Sequence, residues 1–210
     1  MIVKILKRKV NLILCLILMI TFALNFSSCA TEPPALEEVK EEFISLISSS
    51  AEINQLFFGE GLPVYDRNGT EEEKQVYSTL GSELDNYQCV REGSKYLTVE
   101  SMKTAAEAVY TEEYLESVYQ IVFDGYADDI MGVTAARYYE SNDWIFESML
   151  YEPLIEGTRT YDYETMKIVK PSTGEYVNVS IESELEGEKL TITLAFSKTE
   201  NGWRLDTPTY

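Results

Sequence analysis

The densest grouping of side chains able to do chemistry is Asp124, Asp128 and Asp129, with Tyr126 between them. A carboxylate can serve as a general base beside a tyrosine that donates a hydrogen bond, and several carboxylates together can hold a calcium ion. The spacing matches no calcium-loop pattern, and the same acids at a helix end would simply be hydrated. Asp66-Arg67-Asn68-Gly69 places its glycine too early for an EF-hand loop. Glu140 and Asp143 supply a pair of carboxylates of the kind a glycosidase uses, but they flank a tight-turn sequence and would face solvent.

The chain contains no histidine. That excludes Ser-His-Asp and Cys-His catalysis, histidine-ligated zinc and an imidazole base. Of the 3 cysteines, Cys15 lies in an apolar run, Cys29 follows that run, and Cys89 stands alone in the rest of the chain. A lone cysteine forms no internal disulfide and reads as a small buried apolar residue. The 15 tyrosines and 2 tryptophans are the richer resource. Tyr161, Tyr163 and Tyr176, joined by Trp144, would form an aromatic surface able to hold a sugar, a peptide or a protein. The other use of such rings is to pack helices against a sheet. The candidate binding surface is therefore these four aromatics with Asp124, Asp128 and Asp129. No catalytic residue, metal or cofactor is expected.

The hydropathy pattern outlines the elements that must position these residues. Leu36, Val39, Phe43, Leu46 and Ile47 recur at helical steps and predict a helix from about Ala35 to Ser50. Residues 57–97 hold turn signals, a polar run at Glu71-Glu72-Glu73-Lys74, and a short strand around Tyr87–Val90. Thr98 can cap a helix that buries Met102, Ala105, Ala106 and Val109. Thr111 can cap the next, with Leu115, Val118, Tyr119 and Val122 inward and Gly125 as its end.

From Ala136 the period becomes two. Arg137–Glu140 and Trp144–Met149 flank a compact loop at Ser141-Asn142-Asp143. Alternation then puts Tyr161, Tyr163, Thr165, Lys167 and Val169 on one face of a strand. Val177, Val179 and Ile181 mark the next strand, and Leu190, Ile192, Leu194 and Phe196 the one after. Asn201-Gly202 is a hairpin signal leading to Trp203-Arg204-Leu205. Helices followed by meandering strands predict an α+β domain, with N-terminal helices packed on a curved antiparallel sheet.

The N-terminus carries Lys4, Lys7, Arg8 and Lys9, then an apolar run from Val10 to about Phe26, then Phe26-Ser27-Ser28-Cys29-Ala30. This resembles the signal peptide and lipobox of bacterial lipoproteins. The resemblance implies that the Cys29 thiol is lipidated and becomes the mature N-terminus. A spanning anchor or a plain secretion signal are the alternatives, and each also puts the remainder outside the cytoplasm. The expected organisation is a signal peptide over 1–28, the lipidated cysteine and a short linker over 29–34, and one domain over 35–210. The linker Thr31-Glu32-Pro33-Pro34 is short, so the domain would stay close to the membrane.

The order of elements, ending in Asn201-Gly202-Trp203-Arg204-Leu205-Asp206, resembles the cone of NTF2-like (cystatin-like) domains. Tyr96-Leu97-Thr98 and Val109-Tyr110-Thr111-Glu112-Glu113-Tyr114 are similar to exported IseA-type inhibitors of cell-wall DL-endopeptidases, and the Tyr138–Phe146 hairpin fits the same pattern. The resemblance implies a role in restraining a wall hydrolase and carries over no individual functional residue.

Charge agrees with an export role. The whole chain has 36 acidic against 17 basic residues; four of the basic ones and none of the acids precede residue 30, leaving a net of −23 beyond it. Such a surface repels phosphate backbones, so nucleic acid is not a partner. The acidity either keeps an exported protein soluble or steers a basic partner. The expected function is a lipid-anchored, extracytoplasmic, non-enzymatic binding module with an envelope protein as partner. A small-ligand binder or minor hydrolase using a pocket inside the cone is the alternative.

Overall fold

The computed structural model describes residues 31–80, 86–128, 132–134, 136–155 and 157–210. Helix α1 spans Leu36–Phe58. The Glu38 carboxylate accepts the Ala35 N–H at 3.2 Å, and Glu37 and Glu38 place negative charge in the first turn, where it opposes the helix dipole. One stripe of α1 (Val39, Phe43, Leu46, Ile47, Ser50, Ile53, Asn54 and Phe57) is buried. The helix runs eight residues beyond the expected Ser50, because Ile53, Leu56 and Phe57 continue the buried stripe.

Helix α2 (Glu71–Leu80) forms where only a polar run was read. Thr70 and Glu73 cap it reciprocally: the Thr70 N–H donates to Glu73 Oε2 at 2.9 Å and the Glu73 N–H to Thr70 Oγ1 at 3.3 Å. Strand β1 is Tyr87–Cys89, as expected. Helix α3 (Val99–Glu107) is capped by Thr98, whose hydroxyl accepts the Ser101 N–H, and α4 (Glu112–Tyr119) by Thr111, whose hydroxyl accepts the Tyr114 N–H. A π-helical turn over Gln120–Asp124 extends α4 to Gly125.

Short strands β2 (Tyr126–Asp128) and β3 (Gly132–Thr134) pair with each other. Strands β4 (Tyr138–Ser141) and β5 (Trp144–Ser148) form a hairpin, and β1 adds to it in the order β1-β5-β4. Its two turn residues, Asn142 and Asp143, both have positive φ (51° and 66°), the requirement of a type I′ turn.

Strands β6 (Thr160–Val169), β7 (Tyr176–Leu185), β8 (Glu188–Thr199) and β9 (Gly202–Leu205) make a four-stranded antiparallel meander. The protein is an α+β fold. Phe43 of α1 stacks on Phe196 of β8, with ring centroids 3.8 Å apart and 8° between planes, and meets Trp203 of β9 edge-on at 5.4 Å. Val177, Val179, Ile181 and Leu194 complete this layer. Outside the helix pairing, the Tyr110–Leu205 bridge ties the α3–α4 connection to β9.

Strand β6 departs from the expected alternation. Its register against β7 shifts between Asp162 and Lys167, where five steps of β6 oppose two of β7. The bulge is satisfied internally, with the Thr165 hydroxyl donating to the Asp162 carbonyl at 2.6 Å and accepting the Glu182 N–H at 2.9 Å. It reverses the phase of the strand: Tyr161 and Tyr163 pack inward before it, and Met166 and Ile168 after it.

Candidate functional site

Tyr161 and Tyr163 come together as expected, their rings stacked at 6.3 Å with 19° between planes. They line a groove of about 300 Å³ between α1, β6 and the segment ending at Tyr210. The Tyr161 hydroxyl donates to the Thr209 carbonyl, and the Tyr163 and Ser48 hydroxyls lie 3.3 Å apart. Burial pushes the Tyr161 phenol well above the usual range, with Arg159 pulling against it.

The other two aromatics stand elsewhere, so the four do not form one surface. Tyr176 is seven residues along β7 from Ser183, the register partner of Tyr161, a separation of roughly 23 Å. It also faces away from the buried Val177 side of the sheet. Trp144 belongs to the three-stranded sheet, beside a hollow of about 130 Å³ shared with Val90, Glu92, Leu97 and Asp143.

Among the acids, Asp124 is exposed at the end of the π-helical turn, Asp128 closes β2, and Asp129 lies outside the described residues. Among the described residues, no group of three or more acidic or thiol side chains is placed to hold a metal ion. Glu140 and Asp143 stand in different settings. Glu140 Oε2 accepts the Val99 N–H at 2.8 Å, capping α3, and Asp143 sits exposed in the β4–β5 turn. Cys89 is fully buried, and burial pushes its thiol up to about 11, which makes it a poor nucleophile.

Between α1 and strands β8 and β9 the space is filled by Phe43, Phe196, Leu194 and Trp203, whereas the groove lined by Tyr161 and Tyr163 opens between α1 and β6. Lys4 to Lys9, the apolar run and Cys29 lie outside the described residues. Among those described, no helix is long and apolar enough to cross a membrane.

A third concave surface was not anticipated. An open trough of about 1020 Å³ runs between α3–α4 and the β8–β9 hairpin, lined by Glu107, Glu112, Glu113 and Glu116. Arg204 is the cation in its lining, and its guanidinium is committed to carbonyls: Nε to Glu107 at 2.8 Å, Nη1 to Trp203 at 2.7 Å and to Asn201 at 3.2 Å. None of the four glutamates takes part in an ion pair among the described residues. The Tyr119 hydroxyl donates to Glu107 Oε1 at 3.3 Å, and its phenol is held far above the usual range by burial first and by Glu107 second. The Glu112-Glu113-x-x-Glu116 spacing after a capping Thr111 was legible as one helical face, but that it meets Glu107 across a trough depends on how α3 packs on α4.

No protein-family model matches this chain, and no curated protein matches it significantly.

Proposed function

We propose that this protein is a lipid-anchored, extracytoplasmic binding module whose acidic trough receives a basic surface of an envelope protein. The observation that carries the reading is the trough itself: four glutamates line one concavity and outnumber Arg204, the cation among its described lining residues, whose guanidinium is held in place by backbone carbonyls. Concave walls of low dielectric focus a field of one sign, which speeds encounter with a cationic partner and rejects anionic ones. At about 1020 Å³ the open trough has room for several side chains of a docking surface. The lipobox-like sequence ending at Cys29 supports the anchor, and the IseA-like segments support a cell-wall hydrolase as partner. One of those segments, Val109–Tyr114, contributes the Tyr110, Thr111, Glu112 and Glu113 wall of the trough. The expected aromatic anchors receive less support, because Tyr161 and Tyr163 lie in a different groove.

The test uses the full chain in detergent to capture partners from an envelope extract, at low salt and at about 0.5 M salt, where screening reaches within a few ångström. A wall hydrolase retained at low salt, released at high salt, and lost with a Glu107→Gln/Glu112→Gln/Glu113→Gln/Glu116→Gln variant supports the reading. Equal retention by that variant, or at both salt concentrations, overturns the electrostatic mechanism. Fractionation of a Cys29→Ser variant tests the anchor, with loss from the membrane pellet expected.

A further inference from the structure

The α1–β6 groove differs in character from the rest of this acidic protein. Among the described residues its lining contains no aspartate or glutamate side chain and one cation, Arg159. The lining also carries the hydroxyls of Ser48, Thr158 and Thr160, and its apolar part is Ile47, Ala51 and Ile155 with the Tyr161 and Tyr163 rings.

Arg159 is under-employed. Its Nη1 donates to Ser183 Oγ at 3.1 Å, and its Nε is buried without any hydrogen-bond partner. No carboxylate lies within ion-pairing distance of it among the described residues, although acids outnumber bases more than twofold in the chain. A guanidinium offers a planar fork of donors that matches a carboxylate. The other groove polar groups are largely spoken for. Gln55 Nε2 donates to the Gly157 carbonyl at 2.9 Å, Thr160 Oγ1 to the Glu184 carbonyl at 3.3 Å, and Ser50 and Asn54 each bond the Thr209 hydroxyl. Arg159 is thus, among the described residues, the group in the groove whose charge has no carboxylate partner; its Nε is sealed from solvent, so a ligand would meet the outer edge of the guanidinium.

We infer that this groove is a second binding site, which takes a small ligand bearing one carboxylate on a short apolar body, the carboxylate on Arg159 and the body against Ile47, Ile155 and the stacked tyrosines. A volume of about 300 Å³ sits at the small end of ligand pockets and suits a molecule of amino-acid or dipeptide size. The general repulsion of the acidic surface disfavours multiply charged anions, and one guanidinium neutralises one charge. Two sources present this chemistry, a peptide C-terminus and a free short-chain acid.

The test titrates the full chain in detergent calorimetrically with N-acetyl-Ala-Ala as the free acid, with its C-terminal amide, and with hexanoate. The expected result is binding of at least one acid, with the amide about tenfold weaker or worse. Tighter binding of the dipeptide acid than of hexanoate assigns the site to peptide C-termini, and the reverse assigns it to free acids. Arg159→Gln should weaken the acid about tenfold or more, while Arg159→Lys, which keeps charge without the fork, should lose less. Ala51→Leu, which narrows the groove without touching Arg159, should weaken binding in a protein whose melting temperature is retained. Equal affinity for acid and amide, acid binding unaffected by Arg159→Gln, or no heat from either acid at about 10 mM overturns the inference. The partner capture described above does not depend on this groove, so failure here leaves that reading standing.

Discussion

Arg137 and Glu147 form a buried ion pair, Nη2 to Oε1 at 2.7 Å, between the residue that precedes β4 and the strand β5 beside it. The Arg137 side chain is 2% exposed and that of Glu147 12%. Arg137 Nε also reaches Glu147 Oε1 at 3.0 Å, and Nη2 donates to the Gly59 carbonyl at 2.8 Å. Glu147 Oε2 accepts the Leu62 N–H at 3.1 Å, so the pair clamps the loop after α1 onto the hairpin. Gly61 has φ 79°, and a Cβ there would lie 2.0 Å from Glu147 Oε1, so the loop passes this close only with glycine. The Tyr151 ring covers the guanidinium at 4.3 Å. Burial raises the Glu147 carboxyl, and Arg137 pulls against that rise. Removing one partner strands a buried charge, so Arg137→Met or Glu147→Leu alone should cost about 3–5 kcal/mol. The double variant should cost clearly less than the sum of the two in urea unfolding. Additive losses would show that the two residues act independently.

A polar cluster holds the segment at Thr209 against α1. Asn54 Nδ2 donates to Thr209 Oγ1 at 2.7 Å, Ser50 Oγ lies 2.6 Å from the same oxygen, and the Tyr110 hydroxyl donates to Asn54 Oδ1 at 2.8 Å. Because Ser50 donates to the Ile47 carbonyl at 2.6 Å, the Thr209 proton is left to serve Ser50, which satisfies both. Burial pushes the Tyr110 phenol up to about 12. Thr209→Val should cost about 1–3 kcal/mol, since it leaves the Asn54 amide without an acceptor, and Thr209→Ser should cost under about 1 kcal/mol. Chemical unfolding midpoints of the two variants check this; equal losses would assign the effect to packing and not to the hydroxyl.

What was legible in the sequence was local. Thr98 and Thr111 announce their helices because a cap depends on three or four consecutive residues, and Asn142-Asp143 announces its hairpin because the turn needs two positive φ values. Thr70-Glu71-Glu72-Glu73 carried the capping-box signal of α2, which the polarity of the run obscured. The apolar spacing placed the end of α1 near Ser50, yet the helix continues, and Ser50 bonds a partner at Thr209, 159 residues away. The bulge in β6 leaves the alternation of residue types unchanged and shows only in pairing with β7. Arg137 and Arg159 look like any hydrated arginine in one dimension. Their burial follows from which loops and strands cover them, and so the two most informative cations of the fold had no signal in the sequence.

Cys89 gives a direct reading of fold integrity. It is fully buried, and its thiol donates to the Val90 carbonyl at 3.6 Å. With the thiol pushed up to about 11, almost none is thiolate near neutral pH. A water-soluble thiol reagent at about pH 8 should therefore label Cys89 at the rate at which the domain opens, and denaturant should accelerate labelling by orders of magnitude. Labelling of the native protein as fast as a free thiol would contradict the burial of β1.

Acid should destabilise the domain through two carboxylates on its surface. Lys95 Nζ reaches Glu52 Oε1 and Oε2 at 2.5 and 2.6 Å, the Tyr96 hydroxyl donates to Oε1 at 2.6 Å, and the Lys95 hydrogen bonds are the main cause holding this carboxyl below the usual range. Glu73 is held low first by the Thr70 N–H and then by that of Asp66, with Arg91 adding attraction. A carboxyl whose folded value lies below its unfolded one contributes stability above the ordinary glutamate range, and loses it as pH falls through the folded value. Glu147 acts in the opposite sense, because burial raises it and its ionisation costs stability as pH rises. Between about pH 7 and about pH 3, the melting temperature of the wild-type protein should fall more steeply than that of a Glu52→Gln/Glu73→Gln variant, which starts lower near neutrality. The contribution is modest, because both sites are solvent-screened, and it should shrink further in high salt. Parallel curves for the two proteins would mean that neither carboxylate is linked to folding.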